Sequence, residues 1–150
     1  MIRQIQQAKR TDYSDIKSLL YAVDLPATDI TVDMLRNFLI MKQEGQISGV
    51  IGLEVRGQYG LLRSLAIHPD FQMLGYGREL LLAIEDWATN LELLHLYLLT
   101  ESVPQFFKTM GYKTIDRNRV PEEIASTQQF ARICGESAIT FQKILITNDG

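Results

Sequence analysis

Apolar residues recur along this chain in two rhythms, and the switches between them mark its elements. Ile2 to Gln7 predicts a short first strand. Thr11-Asp12-Tyr13-Ser14-Asp15 then supplies side-chain oxygens suited to a helix start, and Ile16, Leu19, Leu20 and Val23 follow at helical spacing. Pro26 is expected to end that helix. Thr31-Val32-Asp33-Met34 predicts a second helix, with Met34, Leu35, Phe38 and Leu39 along one face. From residue 40 the period changes. The β-branched, glycine-containing run Ile47 to Val55 predicts a strand, Arg56-Gly57-Gln58 a turn, and Tyr59 to Ile67 the antiparallel partner, stopped by His68-Pro69-Asp70.

Beyond a glycine-rich loop, Leu80, Leu81, Ile84 and Trp87 mark an amphipathic helix over Arg78 to Thr89. Leu94 to Leu99 predicts a buried strand, and Val103 to Met110 a helix that stops at Gly111. Tyr112 to Asp116 predicts a strand, Pro121 to Phe130 a helix, and Ala138 to Ile146 a closing strand. Alternation of this kind predicts a mixed α/β or α+β fold, one layer of sheet with helices on both faces.

Composition narrows the picture in three ways. At 150 residues and 46% apolar content, the chain predicts one domain, 1–150, since halves of it would be marginal on their own. A net charge of −3, with Lys9-Arg10 the one adjacent basic pair, gives no bulk signal for nucleic acid or an anionic membrane. Met1 to Gln7 lacks the apolar core of a signal peptide, and Leu91 to Leu99 is far shorter than the ~20 residues of a membrane span. Cys134 is the single cysteine, so no intrachain disulfide forms, which fits a reducing, cytoplasmic setting. His68 and His95, 27 positions apart, do not have metal-site spacing, so no metal is expected.

The strongest chemical signal is the segment from Leu65 to Arg78, in which a strand enters a short loop with glycines two apart and a helix starts at once. Amides at a helix start lack intrahelical partners and sit at the positive end of the dipole, so they attract phosphate. Gly75 and Gly77 carry no Cβ, which lets a pyrophosphate approach, and Arg78 adds a full charge. An ordinary tight turn is the alternative. No Gly-Lys-Ser/Thr follows, so this is not a Walker loop, and the spacing does not fit a dinucleotide fingerprint.

With its flanks, the segment resembles the GNAT superfamily of acetyl-CoA-dependent N-acetyltransferases. The chain reads Leu65-Ala66-Ile67-x-Pro69 and Gln72-x-x-Gly75-x-Gly77, and about 30 residues later Leu96-Tyr97-Leu98-Leu99 precedes Phe106-Phe107-Lys108-Thr109-Met110-Gly111-Tyr112. The resemblance implies a mostly antiparallel mixed central sheet. It also implies that backbone of Leu65, Ala66 and Ile67 pairs with the pantetheine amides. Gln72, Met73, Leu74, Gly75, Tyr76, Gly77 and Arg78 would then hold the pyrophosphate, with Thr100, Phe106 and Phe107 toward the thiol end. For Phe106, Phe107 and Tyr112 plain core packing is the competing reading. Leu62-Arg63-Ser64-Leu65-Ala66, Leu96 to Thr100 and the tail from Pro121 to Cys134 are similar to the arsenic-resistance N-acetyltransferase branch, whose members acetylate amino-acid-like toxins such as arsinothricin.

The implied activity is acetyl transfer to a small amine, an amino acid or analogue. A non-catalytic acyl-CoA-binding module and a protein lysine acetyltransferase are the alternatives, and a homodimer stays open. Many family members carry Tyr where this chain has Phe107 and Asn where it has Thr100, which leaves protonation of the departing thiolate to water or to Ser102. Glu54, late on the strand beside the motif strand, is the candidate general base through water, with a solvent-facing strand residue as the alternative. Arg63, one alternation before Leu65, is the candidate anchor for a substrate carboxylate, against a surface ion pair.

Overall fold

A computed structural model describes residues 4–133, 135 and 137–145. Cys134 and Ile146, on which the sequence reading touches, lie outside them, as do residues 1–3. The strands are β1 (Gln4–Gln7), β2 (Phe38–Gln43), β3 (Gln46–Arg56), β4 (Tyr59–Ile67), β5 (His95–Thr100), β6 (Lys113–Thr114) and β7 (Ile139–Ile144). The helices are α1 (Tyr13–Ala22), α2 (Tyr76–Asn90), α3 (Pro104–Thr109) and α4 (Glu122–Ala125). Among the described residues the strands hydrogen-bond in the order β1-β2-β3-β4-β5-β7-β6. The β4–β5 pair is parallel, whereas β1–β2, β2–β3, β5–β7 and β6–β7 are antiparallel. This is the mixed sheet with helices that the sequence predicts.

The chain packs as two compact units, Met1–Glu54 with Arg63–Trp87, and Val55–Leu62 with Ala88–Gly150. In the first, Ile16, Leu19 and Leu20 of α1 join Phe38, Ile40, Ile47 and Val50 in one buried cluster. Gly49 lies next to Val50 on β3 and so presents the opposite face, where a Cβ would meet Leu80 of α2 at 2.8 Å. Sheet strands of this unit are therefore covered on both sides. That explains β2, which the periodicity misreads: Phe38 and Leu39 belong to a strand, and only Val32–Asn37 before them is helical, as a 3-10 turn. A strand buried on both faces shows a continuous apolar run instead of alternation, and its first residues, Phe38 and Leu39, fall at helical spacing from Met34 and Leu35.

Gly52 provides a stability test of this packing. Its missing Cβ would stand 2.5 Å from Cζ of Phe38, a fully buried ring paired with Gly52 across the ladder. Gly52→Ala is expected to cost about 1–3 kcal/mol through overpacking, and combining it with Phe38→Leu recovers part of the loss. Thermal unfolding of the three proteins checks this.

In the second unit, Leu61 and Tyr97 pack with Val120, Ile124 and Phe130 on one sheet face. Phe107 of α3 packs against Phe106, Tyr112 and Phe141, with the Phe106 centroid at 5.1 Å. The predicted helix over Pro121 to Phe130 is broken. Thr127 is buried and its Oγ1 donates to the Ile124 carbonyl at 2.8 Å, so α4 ends at Ala125 and a π-helical turn, Gln129–Ile133, follows. Likewise α1 stops at Ala22, four residues before Pro26, where Asp24 takes a left-handed φ of 60° and the Leu25 amide bonds the Leu20 carbonyl.

Candidate functional site

The first unit carries most of the predicted site on β4, the loop after it, and the start of α2. The β4–β5 ladder uses only Tyr59–Leu61 of β4, so Leu65, Ala66 and Ile67 lie past its end. Between them Ser64 adopts φ 61°, a left-handed conformation inside a strand that costs a non-glycine residue about 1–2 kcal/mol. Such strain is retained where surrounding contacts over-determine it, and here the Ser64 hydroxyl accepts a hydrogen bond from Nε of Arg63 at 3.0 Å.

The loop is built to keep its backbone turned. The amide of His68 donates to the Ser48 carbonyl at 2.8 Å, and Nε2 of Gln72 donates to the Ile67 carbonyl at 3.1 Å, closing the end of β4. Phe71 stacks on Tyr76, whose ring is buried, and that contact fixes the entry to α2. Met73 at φ 66° is fully exposed, Leu74 is exposed, and Gly75 takes φ 83° with no atom within 4 Å of where a Cβ would stand. The first bond back along α2 runs from the Glu79 amide to the Gly75 carbonyl. Amides ahead of it occupy the turn where a helix has no carbonyl of its own to offer them. Gly77 and exposed Arg78 follow in that turn. Open space over Gly75, a positive φ and a helix start thus coincide in this loop, the arrangement in which backbone amides attract anions.

Arg63 and Glu54 come together, and both are buried, at 5% and 7% exposure. The Arg63 guanidinium is not directed to solvent. Its Nη1 donates to Oε1 of Glu54 at 2.6 Å and to Oδ2 of Asp29, while Nη2 donates to Oδ1 of Asp29 at 2.6 Å. The fork that the sequence assigns to a substrate carboxylate is thus filled by the Asp29 carboxylate. Burial pushes the Arg63 guanidinium down, but the hydrogen bonds and charge of Asp29 and then Glu54 outweigh it, holding it above its ordinary value. Sequence reasoning missed Asp29. An arginine flanked by Leu61-Leu62 in a buried strand does demand carboxylate partners, but nothing local marks which loop supplies one.

The remaining predicted residues belong to the second unit. Thr100 is buried, and its Oγ1 accepts from the Val103 amide at 3.4 Å just ahead of α3. Ser102 is exposed. Phe107 is buried in its aromatic cluster and carries no proton to donate. Among the described residues, no group of three His, Cys, Asp or Glu is placed to hold a metal, and no helix is long and apolar enough to cross a membrane.

Comparison with known proteins gives these features a context. The acetyltransferase (GNAT) domain family profile matches residues 35–114, from the end of the 3-10 turn through β6. The amino-acid acetyltransferase of Pseudomonas paraeruginosa is 32% identical over 100 residues, covering 65% of this chain and 23% of that protein. The chain thus spans about a quarter of the length of the curated relatives it matches. Among solved structures, N-acetylglutamate synthase from Neisseria gonorrhoeae, complexed with coenzyme A and N-acetyl-glutamate, superposes with a TM-score of 0.84 at 22% identity, over 98% of this chain and 36% of that one. A GNAT-family acetyltransferase from Staphylococcus aureus superposes with a TM-score of 0.76 at 16% identity, over 97% of this chain and all of that one. At these identities the structural matches speak for the fold.

Proposed function

This chain belongs to the acetyltransferase (GNAT) family, and from that premise we propose that it transfers the acetyl group of acetyl-CoA to the amino group of a small molecule, an α-amino acid or an amino-acid-like toxin of the arsinothricin type. The observation that carries the reading is the segment from Leu65 to Arg78: strand backbone past the end of the β4–β5 ladder, then open space over Gly75 at a helix start. In this reading Leu65, Ala66 and Ile67 offer backbone to the pantetheine amides, and Gln72 through Arg78 hold the pyrophosphate. The acceptor ammonium first gives up a proton through water toward Glu54, the free amine nitrogen attacks the thioester carbonyl, the C–S bond breaks, and the second proton on nitrogen passes through water or Ser102 to the departing thiolate. Relatives named amino-acid acetyltransferases support the choice of acceptor. The setting proposed is the cytoplasm.

One observation favours a second reading. Phe107 stands where a proton-donating tyrosine is frequent in the family, which suits a module that binds acyl-CoA without turning it over. Thiol release from acetyl-CoA, followed with the twenty L-amino acids, polyamines and a lysine peptide, separates the readings. The proposal expects release with at least one free amino acid. Saturable acetyl-CoA binding with no release across the panel would favour the binding module, and release with the peptide alone would favour protein acetylation.

A further inference from the structure

Apart from the segment from Leu65 to Arg78, a surface cleft of the first unit gathers positive charge against the trend of a chain whose net charge is −3. It has a volume of about 260 Å³ and lies between the chain leaving β1 and the 3-10 turn Val32–Asn37. Lys9, Arg10 and Arg36 line it, and Asp33 is the one acidic residue in its wall among the described residues. Buried Ala8 and Leu35 supply its apolar side. Nearby Asp12, which accepts from the Lys9 amide at 2.8 Å, is buried and ion-paired with Lys42 at 3.4 Å, so its charge is met within the protein. We propose that this cleft is a ligand site of its own, which takes a small polyanion carrying phosphate or carboxylate groups. The proposal stands apart from the acetyl-transfer reading.

The cations are held in place before any ligand arrives. Nε2 of Gln7 donates to the Arg36 carbonyl at 2.7 Å and ties the turn to β1, while Nε of Arg36 donates to the Asp33 carbonyl at 3.3 Å. That leaves both terminal nitrogens of the Arg36 guanidinium for a ligand. Neither Lys9 nor Arg36 is ion-paired with a carboxylate among the described residues. Arg10 is: its Nη1 donates to Oδ1 of Asp33 at 3.0 Å, with side chains 73% and 75% exposed. A pair so exposed is weak and opens to a competing anion. Apolar surface beside a cleft of one charge sign concentrates its field and strengthens its pull on anions. A volume of about 260 Å³ is the liquid share of roughly nine waters. It falls below the roughly 300–1,000 Å³ of pockets for drug-sized ligands, so the cleft suits an anion of the size of pyrophosphate or citrate and not coenzyme A.

Amide NMR on the isotope-labelled full chain tests this, with sodium pyrophosphate and citrate titrated at constant ionic strength and acetate as the monoanion control. The expected result is saturating shifts at the amides of residues 7–10 and 33–37, with a Kd of about 1 mM or below for at least one polyanion and no saturation with acetate. A tighter Kd for pyrophosphate assigns a phosphate ligand, and a tighter Kd for citrate a carboxylate one. Lys9→Gln combined with Arg36→Gln weakens binding about ten-fold. Asp33→Asn removes the carboxylate that competes for Arg10 and tightens binding about three-fold. A gain in affinity cannot come from a damaged fold, so the two variants together separate lost charge from lost structure. Shifts that do not saturate, an acetate response equal to that of the polyanions, or shifts confined to residues 72–79 would each overturn the proposal. So would a Kd that neither variant alters.

Discussion

Gly75→Val is expected to abolish acetyl-CoA binding, with at least about a hundred-fold rise in Kd, while α2 remains formed. The glycine sits at φ 83°, and nothing lies within 4 Å of its absent Cβ. A valine there meets no protein atom at its Cβ, so its stability cost is confined to the left-handed backbone, about 1–2 kcal/mol. Its branched side chain instead projects into the space assigned to the pyrophosphate. Losing close approach to several amides at once removes a set of charge-assisted hydrogen bonds, each contributing roughly 1.5–3 kcal/mol. Titration calorimetry gives the Kd, and far-ultraviolet circular dichroism with a thermal melt shows whether the fold survives. Unchanged affinity in a folded variant would remove the loop from the cofactor site.

Arg63→Met is the most destabilising single change expected. It leaves Asp29 and Glu54 buried beside one another without the guanidinium that both accept from. Breaking a buried ion pair by deleting one partner costs about 3–5 kcal/mol, which for a chain of this size lowers Tm by roughly 6–20 °C. Adding Asp29→Asn and Glu54→Gln to Arg63→Met removes the orphaned charges and restores most of the loss. Thermal unfolding of these three proteins, parent, single and triple variant, is decisive because a purely steric effect of methionine would not be repaired by amides at the other two positions.

The difference between what the chain spells out and what only the fold reveals follows from range. The loop after β4 is legible because its chemistry is local: a strand, a proline, two glycines and a helix start lie within fourteen consecutive residues. β3, β4 and α2 are legible because β-branched content or helical spacing marks them and Gly57, Pro69 and Asn90 stand at or just beyond their ends. β2 was hidden because burial on both faces erases alternation. The break after α4 was hidden because Thr127 bonds back to the Ile124 carbonyl, a choice between side chain and helix that propensity does not decide. Arg63 stood out as a charged residue on an apolar strand, but its partner is 34 positions away in a loop with no pattern of its own. The sequence supplied the demand for a carboxylate, and the fold alone supplied Asp29.

The central claim is that this chain binds acetyl-CoA through the segment from Leu65 to Arg78, and the melting temperature with and without the cosubstrate tests it most directly. At a ligand concentration about 100 times Kd, binding to the folded state alone adds about 2.7 kcal/mol, which corresponds to a rise of roughly 5–10 °C for a chain of this length. The account predicts such a rise with millimolar acetyl-CoA in the parent protein and its loss in Gly75→Val. A parent melting temperature that does not move would contradict it.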